Sequence, residues 1–501
     1  MTIAAGDLVL TVDAGGSGVK ATVFSAQVGR MLSCVRRGYR GSFPGPGRAE
    51  FDPASWWPLI VEACRAAVEQ AGAPPTDYAG LTATGMRGPF VLVDARGEHV
   101  APGVLVPDQR GASTLDQIER TIGRERLYER TGHWLSSRWG LPKLLWFAAA
   151  APEVLGRARH VLQLHDWLML RLSGAIVSEP SSASMSQLLD IRRRAWASDV
   201  LEELGIDDAL LPPLSDAGTA VGGLLPAVAS SMGLLAGTPV HAGGGDTHVS
   251  ALGVGAAQEG AIAVVAGSTT AIQLTDEVVP ARREQAPLVS AHLAPGSFAL
   301  ETNAGETGVI YRWLAELGSS DDEGPSADRG AELERLACAA PLGARDLLVT
   351  AARPRWGEEA WGRLAPVTLF GVRFEHSLGD LARAAIECAT YATAEAVGVL
   401  VGLRSPAPVR VRATGGASRS GLWAQTLADV LGHTVEVADV EEPSALGGAQ
   451  LVCPGSGRRW GELVPVRGFE PEPERHERYA VHAARYGDVF ARLDAAFGEA
   501  A

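Results

Sequence analysis

The sequence predicts an α/β fold in two large domains, and three observations support this class. The chain has 501 residues, which is more than one ordinary hydrophobic core accommodates. Strand-like and helix-like segments alternate along its length. A strand, a turn of Gly, Ser and Thr, and a second strand occur at 8–24 and again at 261–274. One such hairpin near the start of each half indicates two related domains, at 1–254 and 255–501, with the boundary near 253–260.

The other elements follow the same alternation. Asp52 and Pro53 are a favourable helix start, and Gly72 is a favourable end. Trp57 lies on the apolar face of this helix, so we expect it in the core. The elements expected in the second half are a long Ala-rich helix opened by Asp380, a strand at 409–413, a helix ending near Gly432, and a strand at 434–437. The stretch 318–328 is rich in Gly, Ser and Asp and is predicted to be a loop.

Composition and charge limit the classes of partner. The net charge is −14, whereas nucleic acids and anionic membranes require a basic surface. ATP is not excluded, because backbone N–H groups and Mg²⁺ can hold phosphates. The five cysteines form no C-x-x-C pair, which argues against disulfides and zinc and favours a reducing cytoplasm. The N-terminus has no signal-peptide pattern, and Gly, Pro or charges interrupt each apolar stretch. We therefore expect a cytoplasmic protein with no nucleic-acid or membrane partner.

Two short motifs place carboxylates at the ends of apolar strands. The stretch Gly243-Gly244-Gly245-Asp246 follows the apolar run Pro239–Ala242. Asp13 ends the run Leu8–Val12 and stands beside a Gly/Ser turn. Glycines let a ligand approach the backbone, and an acid next to such a turn suits a Mg²⁺–nucleotide site. Two such elements in one chain predict phosphoryl transfer.

Eight motifs in a fixed order resemble the FGGY family of carbohydrate kinases, which includes xylulokinases, glycerol kinases, ribulokinases and autoinducer-2 kinases. The motifs are Asp13-Ala14-Gly15-Gly16-Ser17, Gly85-Met86-Arg87-Gly88, Asp108-Gln109-Arg110, Asp166-Trp167-Leu168 with Leu172-Ser173-Gly174, Gly243-Gly244-Gly245-Asp246, Gly267-Ser268-Thr269, Gly415-Gly416-Ala417-Ser418 and Ala445-Leu446-Gly447-Gly448-Ala449. Each is weak alone, but together they extend over nearly the whole chain. The resemblance implies two actin-like (ribonuclease H-like) ATPase domains, with ATP and sugar meeting in the interdomain cleft.

The resemblance also implies catalytic and metal-binding carboxylates. Asp246 matches the general base that accepts the proton of the attacking hydroxyl. Asp13 is expected to hold Mg²⁺ through water, because this ion gives up its hydration shell reluctantly, and Asp246 is the second carboxylate assigned to the metal. The alternatives are an Asx-turn or helix-cap role for Asp246 and a turn role for Asp13.

The nucleotide is expected to contact turns in both halves. In the first half these residues are Gly15, Gly16, Ser17 and Lys20. In the second half they are Gly267, Ser268 and Thr269 in the phosphate turn, Gly308 before a helix, and Gly415, Gly416 and Ala417 at the adenosine. An ordinary tight turn is the alternative for each string. Many family members have Thr at the position of Gly16 and Arg at that of Lys20, and Lys keeps the charge without the bidentate fork.

The sugar is expected to contact Arg87 and Asp108. Arg87 matches a position where glycerol and autoinducer-2 kinases also carry Arg, and a guanidinium can bond two vicinal hydroxyls. A surface Arg beside a turn is the alternative. Asp108 could bind a hydroxyl, or could simply pair with Arg110. Val106 stands where the family has Trp, so an aromatic face is either lost or supplied by Trp134 or Trp139.

These residues predict an ATP- and Mg²⁺-dependent kinase of a small sugar, with a ketopentose such as xylulose as the first candidate. Arg87 and the missing Trp favour instead another ketose, a polyol or an autoinducer-2-like linear diketone. Gly16 and Lys20 leave open a different class, a non-catalytic sugar-binding regulator on a kinase scaffold. By analogy with similar families the protein could form a homodimer.

Overall fold

The computed structural model describes residues 6–26, 29–280, 286–317, 327–350, 367–403, 410–454 and 464–498. Its strands are β1 Leu8–Ala14, β2 Gly18–Ser25, β3 Arg30–Gly38, β4 Glu50–Phe51, β5 Tyr78–Gly85, β6 Phe90–Val93, β7 Gly103–Val104, β8 His160–Gln163, β9 Leu189–Asp190, β10 Ala195–Trp196, β11 Ala220–Gly223, β12 Pro239–Gly245, β13 Ala261–Ala266, β14 Thr270–Asp276, β15 Leu288–Ala291, β16 Phe298–Asn303, β17 Leu348–Val349, β18 Leu369–Phe370, β19 Arg410–Thr414, β20 Val435–Ala438 and β21 Val466–Phe469.

The α-helices alternate with these strands. They are α1 Pro53–Ala71, α2 Leu115–Thr121, α3 Arg124–Thr131, α4 Gly140–Ala150, α5 Pro152–Leu155, α6 Leu164–Ser173, α7 Pro180–Ser184, α8 Ser198–Glu203, α9 Pro226–Met232, α10 Asp246–Gly253, α11 Thr307–Glu316, α12 Ala327–Ala339, α13 Leu378–Gly402, α14 Gly421–Leu431, α15 Pro443–Val452 and α16 Pro473–Gly498. The alternation confirms the α/β class predicted from the sequence.

The two large sheets share one topology. In the first half the strand order is β3-β2-β1-β5-β12-β11, and in the second it is β16-β14-β13-β19-β20-β21, with β15 added at the β16 edge. Corresponding pairs also have the same direction: the first hairpin is antiparallel, and the next two pairs are parallel. The two predicted strand–turn–strand units are therefore β1–β2 and β13–β14, each at the centre of its sheet.

Helices cover the sheets and bury their apolar faces. One core lies between the first sheet and α1, α6 and α9, and another between the second sheet and α13 and α14. A third core belongs to a smaller four-stranded sheet of β4, β7, β6 and β8 with its own helices. A fourth cluster joins the two halves, with residues such as Val9, Ala251, Ala263 and Ala449 in contact.

Two helices cross where the halves meet. A Cβ atom at Gly253 of α10 would lie 2.0 Å from the carbonyl oxygen of Pro443 in α15. A Cβ atom at Gly447 of α15 would lie 1.9 Å from the carbonyl oxygen of Val249 in α10. These are backbone atoms, so no side chain could move aside. The small residues of the motif at 445–449 therefore allow α15 to pack directly on α10.

Within the part of the chain that the structure describes, one helix is long and apolar enough to cross a membrane by length and composition alone, whereas the sequence analysis expected none. It is α13, and 72% of its most apolar window is buried inside the protein. Arg383 and Glu387 of this helix form a buried ion pair, and Arg383 also donates a hydrogen bond to Tyr479 of α16. These contacts show α13 as a core helix of the second half.

Several local expectations can be compared with the structure. Asp52 caps α1 and Gly72 ends it in the left-handed region, as predicted. Trp57 is partly buried and packs against the core, as expected, and its neighbour Trp56, which is 1% exposed, is the fully buried tryptophan of α1. Helix α13 begins at Leu378, because Ser377 is its N-cap and Asp380 completes a capping box. The predicted loop at 318–328 lies outside the described residues except for the start of α12.

Candidate active site

Three parallel strands bring the predicted charged residues to one edge of the first sheet. Strand β5 lies between β1 and β12, with Asp13 opposite Thr84 and Gly245 opposite Gly85. Asp13, Arg87 and Asp246 therefore stand at or just beyond the carboxyl ends of the three strands. Since adjacent strands are about 4.8 Å apart, the backbones of β1 and β12 are separated by about 10 Å. The carboxyl edge of a parallel sheet is a common ligand site in α/β proteins.

The glycines before Asp246 are required by close packing. A Cβ at Gly243 would lie 1.9 Å from the Ala83 carbonyl oxygen, and one at Gly245 would lie 2.3 Å from Cδ of Arg87. The backbone N–H of Gly243 donates to Nε2 of His165, and that of Gly245 donates to Oγ of Ser181. The glycines thus admit Arg87 beside the strand, and two buried side chains fix the strand that leads to Asp246.

Asp246 is the first residue of α10 and its side chain is 36% exposed. Its Oδ1 accepts a hydrogen bond of 2.8 Å from the N–H of Thr247. Burial raises the pKa of Asp246, Arg87 opposes this, and the charge of Asp13 raises it further. The two carboxylates are therefore close enough to interact. A partly buried carboxylate of raised pKa suits a group that accepts a proton.

Asp13 is held by contacts from both halves. Lys20 Nζ lies 3.1 Å from Asp13 Oδ2, and the hydroxyl of Ser444 donates to the same oxygen over 2.7 Å. Lys20 also donates to Glu442 over 2.8 Å. Burial alone would lower the pKa of Lys20, but the two carboxylates outweigh it and raise this pKa. The ammonium group stays charged beside the turn at 15–18.

The carboxylates fit a magnesium ion. Mg²⁺ takes oxygen ligands and keeps several waters, so one or two carboxylates together with nucleotide phosphates are a sufficient donor set. Asp13 and Asp246 stand at one edge of the sheet and would be the residues to supply such oxygens. When bound, the ion would neutralise phosphate charge.

Arg87 has a different set of partners from the one expected. Its guanidinium forms a two-pronged ion pair with Glu301 of β16, which belongs to the other sheet. It also donates to Oγ1 of Thr247 over 3.0 Å, and its Nε lies 3.9 Å from Oδ1 of Asp246. Because Glu301 occupies the fork, Arg87 is not free to bond two vicinal hydroxyls as the sequence analysis expected. The alternative of an exposed Arg also fails, since the side chain is 8% exposed.

Asp108 is fully buried and its carboxylate is occupied by the protein. It accepts hydrogen bonds from the N–H of Ala49 and Arg110 and two more from the Arg110 guanidinium, at 2.7–2.9 Å. The simpler interpretation, a pair with Arg110, is therefore the one that this geometry supports. Trp134 and Trp139 are 5% and 1% exposed, so neither offers an aromatic face to the cleft.

A cavity of about 440 Å³ lies in the second half, between α11, α12, α13 and α14. Of the predicted nucleotide residues, Gly267, Ser268, Gly308, Gly416 and Ala417 line it. A cavity of this size accommodates a small cofactor.

Glycine is required at two positions around this cavity. A Cβ at Gly308 would lie 2.1 Å from the Gly267 carbonyl oxygen, so α11 starts directly against the turn. Gly415 has φ +98° and would bring a Cβ within 2.5 Å of the Ala266 carbonyl oxygen. Gly415 therefore allows the chain to pass close to the end of β13 beside the cavity. The predicted residues Gly16 and Ser17, in the turn between β1 and β2, and Thr269, in the turn between β13 and β14, are exposed.

Several site residues were missed by the sequence analysis. Glu442 and Ser444 immediately precede the recognised motif at 445–449, so the start of that helix was a usable signal. Glu301 is a charged residue in an otherwise buried strand, which was a weaker signal. Arg312 and Arg419 also line the cavity, and nothing in their local sequence distinguishes them from surface residues.

The duplicated sheet and its ligand edge define a class, the two-domain actin-like ATPases. Two family models match the chain: the N-terminal domain of the FGGY family of carbohydrate kinases at residues 8–253, and the C-terminal domain of that family at 262–453. The chain therefore belongs to the FGGY family of carbohydrate kinases. It is an ATP-dependent carbohydrate kinase, and Mg²⁺ is the usual partner ion of the nucleotide in this family.

Similar proteins are named as kinases of different substrates. An autoinducer-2 kinase of Salmonella typhimurium is 30% identical, over 97% of this chain and 94% of that protein. A xylulose kinase structure from Rhodospirillum rubrum has 26% identity and a TM-score of 0.84, covering 98% of this chain and all of that one. A glycerol kinase of Plasmodium falciparum with ADP has a TM-score of 0.82 at 16% identity, over 96% and 98% of the two chains, which shows the fold alone.

Proposed function

We propose that the protein transfers the γ-phosphoryl group of ATP to a hydroxyl of a short open-chain ketone, with a ketopentose such as xylulose as the first candidate. The observation that carries this proposal is the convergence of Asp13 and Asp246 on one sheet edge. A carboxylate near the metal–phosphate site can accept the proton as the hydroxyl oxygen attacks in line.

Each predicted residue has a role in this proposal. Asp246 is the general base, and Asp13 and Asp246 face the metal. Gly15, Gly16, Ser17 and Lys20 hold the phosphate tail from the first half; Gly267, Ser268, Thr269 and Gly308 hold it from the second; Gly415, Gly416 and Ala417 contact the adenosine. Arg87 and Asp108 support the sugar-binding region without contacting the sugar, because the side chains of Glu301 and Arg110 occupy their polar groups.

A second candidate substrate is an autoinducer-2-like linear diketone. The specific observation in its favour is that eight relatives with 29–30% identity over 94–97% of the chain are named autoinducer-2 kinases. Both candidates are open-chain ketones with terminal hydroxyls, so one site can serve either.

A panel of acceptors tests the proposal. ADP release would be measured with Mg²⁺–ATP and xylulose, other pentuloses, hexuloses, glycerol, erythritol and the autoinducer-2 precursor. We expect the highest kcat/KM with xylulose or the precursor. A preference for glycerol or erythritol would overturn the proposal that the acceptor is an open-chain ketone. Ligand binding without turnover for every acceptor would support the non-catalytic regulator instead.

A further inference from the structure

A buried ion pair connects the two halves directly behind the proposed base. Arg87 follows β5 of the first sheet, and Glu301 lies in β16 of the second. Their side chains are 8% and 9% exposed. Burial alone would raise the pKa of Glu301, but the Arg87 guanidinium outweighs it and holds this pKa at about 2. Both groups are therefore charged at neutral pH, and each compensates the other's buried charge.

The ion pair uses the two terminal nitrogens of Arg87 and leaves its Nε–H on the side of Asp246. Glu301 accepts from both terminal nitrogens, and Oγ of Ser290 donates to Glu301 over 2.9 Å. Nε of Arg87 has no hydrogen-bond partner among the described residues and faces Asp246. Glu301 thus determines which edge of the guanidinium points toward the base.

Glu301 is also connected to the phosphate turn. It pairs in register with Gln273 of β14, a strand that starts at Thr270 directly after the turn at 267–269. The N–H of Ala304, just past β16, donates to the Thr270 carbonyl oxygen. Glu301 therefore moves with the phosphate turn, so a separation of the two halves would draw it away from Arg87.

We propose that Glu301 is a positioning residue that couples closure of the two halves to the placement of Arg87 beside Asp246. The inference rests on the proposed function, because it takes Asp246 as the base. When the halves approach, Glu301 engages the fork and leaves Nε directed at the base. Without Glu301 the guanidinium loses its orientation and stands free to fold onto Asp246, where it would compete with the acceptor.

The test compares charge removal at two buried ion pairs. Glu301→Gln removes the charge with little change of shape, and Glu387→Gln does the same to the Arg383–Glu387 pair in α13. We expect Glu301→Gln to lower kcat by about tenfold or more with the KM for ATP nearly unchanged. Glu387→Gln should lower the melting temperature and leave kcat unchanged. Equal kinetic behaviour of the two variants would overturn the inference.

A double variant separates positioning from stability. Arg87→Met with Glu301→Leu replaces the pair by apolar groups, which restores stability when a buried ion pair is merely structural. We expect a melting temperature near that of the wild type and a kcat that stays low. Recovery of kcat along with stability would contradict a positioning role.

A measurement without an acceptor keeps the inference distinct from the choice of substrate. Small-angle scattering with Mg²⁺–ADP would compare the radius of gyration of the wild type, Glu301→Gln and Glu387→Gln. We expect a larger radius for Glu301→Gln alone, because the contact across the halves is weakened. An unchanged radius would overturn the coupling to closure, whereas failure of the acceptor panel would overturn only the proposed substrate.

Discussion

At the scale of single residues, the site depends on the absence of a side chain at Gly245. A Cβ there would meet Cδ and Cγ of Arg87 at 2.3 and 2.8 Å. The Gly-rich motif therefore positions Asp246 by allowing an arginine to lie against the strand. The sequence analysis interpreted these glycines as a place where a ligand approaches the backbone. In the structure, the side chain that approaches Gly245 is that of Arg87.

Gly245→Ala is the variant that tests this contact. Because the added methyl group must displace Arg87, we expect kcat to fall by about tenfold or more, with nucleotide affinity nearly unchanged. Gly45→Ala is the matched control, since a Cβ at Gly45 meets no atom within 4 Å. Steady-state ADP release measures both variants. Full activity of Gly245→Ala would show that the position of Arg87 is not required.

At the scale of elements, α10 and α15 cross in direct contact where the two halves meet. The backbone of each helix lies against a glycine of the other, at Gly253 and Gly447. The same contact places Ser444, at the start of α15, on Asp13. A helix of the second half thus completes the carboxylate site of the first.

Gly447→Ala should force α15 away from α10. We expect a loss of about 1–3 kcal/mol of unfolding free energy, the usual cost of overpacking. Gly398→Ala is the control, because Gly398 is an exposed position within α13 with no atom within 4 Å of a Cβ. It should stabilise the protein by about 0.5–1 kcal/mol through helix propensity. Equal unfolding midpoints in urea for the two variants would contradict the close crossing.

At the scale of the whole molecule, buried histidines make stability depend on pH. Burial lowers the pKa of His133 to about 3 and that of His292 to about 4, from an ordinary value of 6.5. Between these values the unfolded chain binds protons that the folded protein does not, so acid favours unfolding. The stabilisation that comes from keeping these histidines neutral is complete above pH 6.5 and is lost progressively as the pH falls toward 4.

This linkage predicts a measurable slope of the unfolding free energy against pH. From pH 6.5 to about pH 5, each histidine should cost about 1.5 kcal/mol of unfolding free energy. Urea unfolding across this range would measure the slope, and His292→Gln, which cannot take up the proton, should reduce it. An unchanged slope in the variant would contradict the burial of a neutral imidazole at this position.

The sequence predicted the repeated hairpins and the position of Asp13 and Asp246, because short apolar strands and Gly-rich turns are local signals. It could not predict the partners of Arg87, since Glu301 is 214 residues away and reaches it only through the packing of two sheets. The same reason limits what the sequence says about Trp56 and Trp57: helical periodicity defines a face to within one residue, and the neighbouring elements decide that Trp56 is fully buried and Trp57 only partly.

The most direct measurement is turnover by Asp246→Asn with the best acceptor of the panel, alongside Mg²⁺–ADP binding by calorimetry. Loss of the base should lower kcat by about 10²–10⁴-fold, while the nucleotide still binds with nearly wild-type affinity. A variant that keeps its full kcat would show that the carboxylate of residue 246 does not accept the proton of the attacking hydroxyl.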